Sequence, residues 1–185
     1  MHFKLLSVLC LVGLSACASE EEATGWAELE EGQSALMRYN TRTEIRSEGT
    51  QKCVDIPWGL PSALPVNQFT CHRGPAQQFS LQQAGPGLFT LRNASSGKCV
   101  TLGAYNQANR SYPLVQTTCN PLAFYQSFYM AARVDTPTGA RAALRSANDS
   151  GVCIDVPGGV VADSFQLQAF PCHFGPNQMF TLTQW

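Results

Sequence analysis

Apolar and polar residues alternate along this chain in short runs separated by turn residues. Leu88-Phe89-Thr90-Leu91-Arg92, Lys98 to Leu102, Leu114 to Cys119, Val152 to Val156 and Phe165 to Cys172 are alternating or rich in β-branched side chains, which predicts strands. Gly85-Pro86-Gly87, Asn93 to Gly97, Asn148 to Gly151, Pro157-Gly158-Gly159 and Gly175-Pro176-Asn177 read as the turns between them. No stretch of this region carries a convincing helical period, so the expected class is all-β.

The pattern repeats three times, and this outranks every other feature. Gln51-Lys52-Cys53-Val54-Asp55-Ile56, Gly97-Lys98-Cys99-Val100-Thr101-Leu102 and Gly151-Val152-Cys153-Ile154-Asp155-Val156 stand near the start of each copy. Later in each copy comes a second cysteine, then an amide and an aromatic two apart: Gln77-Gln78-Phe79, Gln126-Ser127-Phe128 and Gln178-Met179-Phe180. The outer copies are closest, with Cys71-His72-Arg73-Gly74-Pro75 answered by Cys172-His173-Phe174-Gly175-Pro176. Three copies of several short strands each, at about 34–84, 85–133 and 134–185, predict a pseudo-threefold β-barrel with a hairpin cap.

Eight cysteines divide by position. Cys10 and Cys17 lie in the first residues, and the other six fall two to a repeat, 18, 20 and 19 residues apart. Nearly equal spacing argues for local pairs, Cys53–Cys71, Cys99–Cys119 and Cys153–Cys172, each worth on the order of 3 kcal/mol through the loop of about twenty residues that it closes. Such bonds need an oxidising compartment, and the N-terminus offers the route. Lys4, the apolar run Leu5 to Leu14 and the small residues before Cys17 read as a signal peptide, too short to span a bilayer. Leu14-Ser15-Ala16-Cys17 fits the lipobox of bacterial lipoproteins, with Cys17 lipidated after cleavage; ordinary cleavage near Ala16 or Ala18 is the alternative. Residues 18–33, with Glu20, Glu21, Glu22, Glu28, Glu30 and Glu31, read as an acidic tether, with a short helix around Trp26 to Met37 as the alternative. The expected location is a bacterial outer membrane or cell surface, held by the lipid, or otherwise the secreted fraction.

Composition narrows the partners. Net charge is −1 and charged residues are 14% of the chain, with no Lys/Arg cluster to neutralise phosphates, so no nucleic-acid partner is expected. Zinc spacing such as C-x2-C is absent, and His72 and His173 each follow a half-cystine in a loop where solvent exposure is expected, so neither metal nor cofactor is expected.

The three C-[VI]-[DT]-[ILV] strands and three Q-x-F endings resemble the ricin-type β-trefoil lectin family over roughly Ser34 to Trp185, although the family usually has Trp where this chain has Phe. The lectin-like A and C subunits of cytolethal distending toxins are a narrower, more distant likeness. The resemblance implies a β-trefoil with one potential sugar site per repeat.

In the third repeat, strand period puts Cys153 and Asp155 on one face, and Gln168, Phe170 and Cys172 on another. A Cys153–Cys172 bridge, with Cβ atoms about 4 Å apart, ties those faces together. Asp155, Phe170 and Gln168 then converge beside the slim turn Pro157-Gly158-Gly159. An ionised carboxylate accepts from two neighbouring hydroxyls, and an aromatic face covers the apolar side of a pyranose. The resemblance accordingly implies Asp155 as hydroxyl acceptor, Phe170 as stacking ring, Gln168 and Asn177 as polar contacts, and Gln178 as the residue that holds Asp155, with Phe180 in the core. The alternative for Asp155 is a turn-capping carboxylate. The first repeat is a partial copy with Asp55, Asn67, Phe69 and Gln77, but Ala76 where the third has Asn177. Trp58 reads either as a second apolar wall or as a partly buried surface aromatic. The second repeat has Thr101, Thr117 and Tyr125 in place of the carboxylate, ring and amide, and its site is expected to be lost.

No H-E-x-x-H, G-x-S-x-G or phosphate loop is present, no glutamate follows Glu48, and Asp55 and Asp155 sit in separate repeats, so no catalytic residues are expected. The expected function is a non-catalytic, exported lectin that binds a glycan, galactose-type or other, mainly through the third repeat and also through the first. The alternative is a protein-interaction or targeting subunit of a toxin-like or secreted complex, with vestigial sugar sites.

Overall fold

The computed structural model describes residues 37–60 and 65–185. The expected signal peptide, lipobox with Cys17 and acidic tether lie outside the described residues, as does the alternative helix apart from Met37.

Within them the chain folds as three lobes of the same plan. Lobe 1 holds β1 (Arg42–Ser47), β2 (Cys53–Asp55), β3 (Asn67–Phe69) and β4 (Phe79–Gly85). Lobe 2 holds β5 (Leu88–Asn93), β6 (Cys99–Leu102), β7 (Tyr112–Thr117) and β8 (Phe128–Thr136). Lobe 3 holds β9 (Gly139–Ser146), β10 (Val152–Asp155), β11 (Phe165–Gln166), β12 (Gln168–Pro171) and β13 (Met179–Gln184), its third strand being split in two.

The first and last strands of each lobe form the barrel. β1 pairs with β4, β4 with β5, β5 with β8, β8 with β9, β9 with β13, and β13 returns to β1, all antiparallel. The middle strands form hairpins, β2–β3, β6–β7 and β10–β12, which cap one end and join through β3–β11 and β7–β12. This is the β-trefoil that the threefold motif predicts.

The core repeats with the lobes. Ile45, Leu91 and Leu144 come from the opening strands, Ile56, Leu102 and Val156 follow the cysteine strands, Val66, Leu114 and Leu167 come from the cap, and Phe79, Phe128 and Phe180 close each lobe, all buried in one cluster. Burying each of these side chains contributes about 1.5–3 kcal/mol. The disulfides Cys53–Cys71, Cys99–Cys119 and Cys153–Cys172 pair as the spacing predicts, one per lobe.

A buried glutamine follows each second cysteine and does the same task three times. Gln77 accepts from the His72 backbone N–H at 2.8 Å and donates to the Thr70 carbonyl at 3.0 Å. Gln126 accepts from the Asn120 N–H and donates to the Thr118 carbonyl. Gln178 accepts from the N–H groups of His173 and Phe174 and donates to the Pro171 carbonyl. Each amide satisfies backbone groups that a loop over a core cannot leave unpaired, and so fixes the loop that follows the disulfide.

Candidate functional site

Asp155 closes β10 and faces Gln168 across the β10–β12 hairpin, while Phe170 lies opposite Cys153. The carboxylate is buried, with Oδ1 accepting from Gln168 Nε2 at 2.9 Å and Oδ2 from Asn177 Nδ2 at 2.7 Å. Asn177 also donates to the Val156 carbonyl at 3.3 Å. Burial raises the Asp155 pKa above the usual carboxylate value, opposed by the amides of Gln168 and Gln178 and by His173. Gln168, Phe170, Asn177 and Gln178 thus gather around Asp155. Asn177 grips the carboxylate directly, and Gln178 chiefly anchors the loop from His173.

Lobe 1 repeats the arrangement with fewer grips. Asp55 faces Asn67 and Cys53 faces Phe69 across the β2–β3 hairpin. Asn67 is one methylene shorter than Gln168 and makes no side-chain hydrogen bond to Asp55; its Oδ1 is buried without a partner. Ala76 carries no donor. Burial again raises the Asp55 pKa, opposed first by Gln77 and then by His72. Asp55 therefore keeps more acceptor capacity free than Asp155 does.

Sequence reasoning placed the two histidines in solvent and left them out of the site. They are half-exposed, yet each belongs to it: His72 Nε2 lies 3.5 Å from Asp55 Oδ2, and His173 Nε2 lies 3.7 Å from Asp155 Oδ2. Their Nδ1 atoms accept from the backbone N–H of Gly74 at 2.9 Å and Gly175 at 3.0 Å, which leaves Nε2 as the protonated nitrogen facing the carboxylate. The repeated Cys-His-x-Gly-Pro was the signal. A Cβ on Gly74 would lie 2.7 Å from the His72 ring, and one on Gly175 2.9 Å from the His173 ring, so the glycines make room for the imidazoles.

In lobe 1 these residues border a cleft of about 330 Å³, lined by Asp55, Trp58, Phe69, His72 and Pro75, with Ser95 of lobe 2 and Ser164 of lobe 3 at its edges. Trp58 is 91% exposed, which removes the reading of a partly buried surface aromatic. Its φ is +58°, the left-handed region that bulky residues avoid; the same position in lobe 3 is Gly158, at φ +60°.

Lobe 2 has exchanged the carboxylate for a neutral network. Thr101 and Thr117 hydroxyls lie 2.8 Å apart, and Gln126 Nε2 donates to both, at 3.1 and 2.6 Å. In the loop that follows, Leu122 is 86% and Phe124 62% exposed. Tyr105 and Tyr112 rings pack 4.9 Å apart. Among the described residues, the one acidic and sulfur cluster with metal-ligand spacing is Glu44 with Cys53 and Cys71, and its sulfurs are joined in a disulfide.

The barrel and its hairpin cap define a β-trefoil, with a buried aspartate at the same position of lobes 1 and 3. The family profile of the ricin-type β-trefoil lectin domain matches residues 5–128, and the chain belongs to that family. Among solved structures, the designed threefold-symmetric protein ThreeFoil is similar at 21% identity and a TM-score of 0.67, over 78% of this chain and 99% of that one. A Macrolepiota procera ricin B-like lectin, solved in complex with lactose, is similar at 17% identity and a TM-score of 0.65, over 80% of this chain and 99% of its own. An exo-β-1,3-galactanase from Clostridium thermocellum shares the fold at 22% identity and a TM-score of 0.67, over 80% of this chain but 31% of that enzyme. No curated protein sequence matches.

Proposed function

We propose that this chain is an exported, non-catalytic lectin that binds glycans through the aspartate sites of lobes 3 and 1. One observation carries the reading: lobes 1 and 3 each hold a buried aspartate, an aromatic on the neighbouring strand and a histidine with its N–H turned inward, whereas lobe 2 keeps the fold without them. Two vicinal hydroxyls match a carboxylate, and the ring of Phe170 or Phe69 matches the apolar face of a pyranose. In lobe 3, Asn177 and Gln168 orient the acceptor; in lobe 1, Asp55 has the freer oxygens and the open cleft. Galactose-type glycans are the first to test, because the Macrolepiota procera lectin was solved with lactose. A single shallow site binds a monosaccharide at about millimolar strength, so two sites on one chain and clustering on a surface both raise the useful affinity.

The test is glycan-array binding of residues 19–185 beside Asp155→Ala and Asp55→Ala. Loss with one substitution and weakening with the other supports the reading; a folded, disulfide-bonded chain that binds no glycan overturns it. The N-terminus supplies the rest of the proposal: Cys17 carries a lipid that holds the lectin at a bacterial surface. Incorporation of labelled palmitate that vanishes in Cys17→Ser checks this.

A second reading, a protein-interaction subunit, draws on lobe 2. There Leu122 and Phe124 present apolar surface where lobes 1 and 3 hold His72 and His173 beside their aspartates. Retention of a partner that is lost in Leu122→Ser/Phe124→Ser, with no glycan bound, would favour it.

A further inference from the structure

The turn that follows the cysteine strand differs between lobes 1 and 3. In lobe 3 it is Pro157-Gly158-Gly159, with no side chain to project. In lobe 1 it is Pro57-Trp58-Gly59, with the largest side chain in the repertoire at the position of Gly158.

A tryptophan at φ +58° and 91% exposed is unfavourable on two counts, since left-handed backbone is strained for a bulky residue and the indole stays in water. The surroundings hold it there. The Gly59 N–H donates to the Ile56 carbonyl at 2.8 Å and the Leu60 N–H to the Pro57 carbonyl at 3.2 Å. Lobe 2 clamps the same turn: Ser95 Oγ donates to the Gly59 carbonyl at 3.0 Å and Gln116 Nε2 to the Leu60 carbonyl at 2.9 Å. Ser95 packs so closely that a Cβ on Gly59 would lie 2.5 Å from its Oγ. A left-handed, clamped and exposed tryptophan at the mouth of a cleft, where lobe 3 has Gly158, motivates a binding role for the indole.

The geometry points to a difference in ligand length between the two sites, an inference that rests on the lectin reading. Lobe 1 takes a saccharide of at least two pyranose rings, one at Asp55 and Phe69 and the next against Trp58, whereas lobe 3 takes a single terminal ring. The cleft of about 330 Å³ supports this, falling in the range of about 300–1,000 Å³ that drug-sized ligands occupy. Its walls come from all three lobes, through Trp58 and Phe69, Ser95 and Ser164, so it extends beyond the single hairpin that holds the aspartate. Trp58 supplies stacking without hydrogen-bond directionality. It therefore selects for a second ring and not for the identity of that ring.

The experiment isolates each site in the full chain, lobe 1 in Asp155→Ala and lobe 3 in Asp55→Ala, and titrates matched pairs: galactose and lactose, glucose and cellobiose, mannose and mannobiose, xylose and xylobiose. Calorimetry reads the ratio of disaccharide to monosaccharide affinity. The expected ratio is about tenfold at lobe 1 and under twofold at lobe 3, and adding Trp58→Gly to the lobe 1 chain brings its ratio down to that of lobe 3. Because glycine accepts the turn as it does at Gly158, thermal unfolding should show that chain folded; Trp58→Phe should keep part of the gain. A lobe 1 ratio that survives Trp58→Gly, or equal ratios at the two sites, overturns the inference. Monosaccharide binding with no gain anywhere overturns it and leaves the lectin reading standing. No saccharide bound by the unsubstituted chain overturns both.

Discussion

Lobes 2 and 3 are built on the same scaffold and differ in what they place at its centre. Gln126 and Gln178 hold the loop after the disulfide by the same two backbone bonds, and Phe128 and Phe180 fill the same core position. Where lobe 3 then buries a carboxylate gripped by Gln168 and Asn177, lobe 2 closes the gap with Thr101, Thr117 and Gln126, all neutral and mutually satisfied. The comparison teaches that the scaffold does not depend on the site. Two threonines replace an aspartate and a phenylalanine without disturbing the disulfide, the glutamine or the core. A buried carboxylate is thus an addition that the fold tolerates rather than one it needs.

The sharpest test is to remove the shared scaffold from each lobe in turn. Phe128→Ala and Phe180→Ala should each cost about 3–5 kcal/mol in denaturant unfolding, the range for a large buried aromatic. A much smaller loss at Phe128 would show that lobe 2 has drifted in structure as well as in chemistry. Replacing Cys99 and Cys119 by alanine should cost on the order of 3 kcal/mol and leave glycan binding intact, whereas the same change at Cys153 and Cys172 should cost as much stability and also weaken binding. Asp155→Ala should lower affinity at lobe 3 by roughly tenfold to a hundredfold, the worth of about 1.5–3 kcal/mol in charged hydrogen bonds, while Thr101→Ala leaves affinity unchanged.

The smallest effect separates the charged sites from the neutral network of lobe 2. Burial raises the Asp55 pKa in the folded chain, so between the unfolded and folded values the native state binds more protons than the unfolded one. Stability from this group is therefore full at low pH and falls as pH rises towards the folded pKa. Asp55→Asn should raise the neutral-pH melting temperature, with the advantage over the parent chain shrinking as pH drops through the acid range. A Thr101→Val chain should show no pH-dependent difference from the parent. Melting curves between pH 3 and pH 7 read both.

Much of this was legible in the sequence because it is written three times. The strands, the local disulfides and the core phenylalanines each recur in register, and strand periodicity together with the Cys153–Cys172 pair brings Asp155, Gln168 and Phe170 together. The parts that were missed depend on contacts that no local pattern encodes. His72 and His173 enter the site only because Gly74 and Gly175 donate to their Nδ1 atoms and turn the rings inward. Ser95 and Ser164 reach the lobe 1 cleft from other lobes. Ala76 reads as a lost contact along the sequence, yet in three dimensions it leaves Asp55 without the amide grip that Asn177 gives Asp155. The left-handed turn at Trp58 had one signal, the glycine at the matching position of lobe 3.

The barrel ring, in which β13 returns to β1, bears on solubility. An open sheet offers its outermost backbone N–H and C=O groups to any passing strand and must guard them with charge, proline or bulges. A sheet closed on itself has no such outermost strand. Only 14% of this chain is charged, and Trp58, Leu122 and Phe124 stand in water on its loops. Closure spares the barrel strands that guarding, so the loops can carry apolar side chains without an open barrel edge beside them.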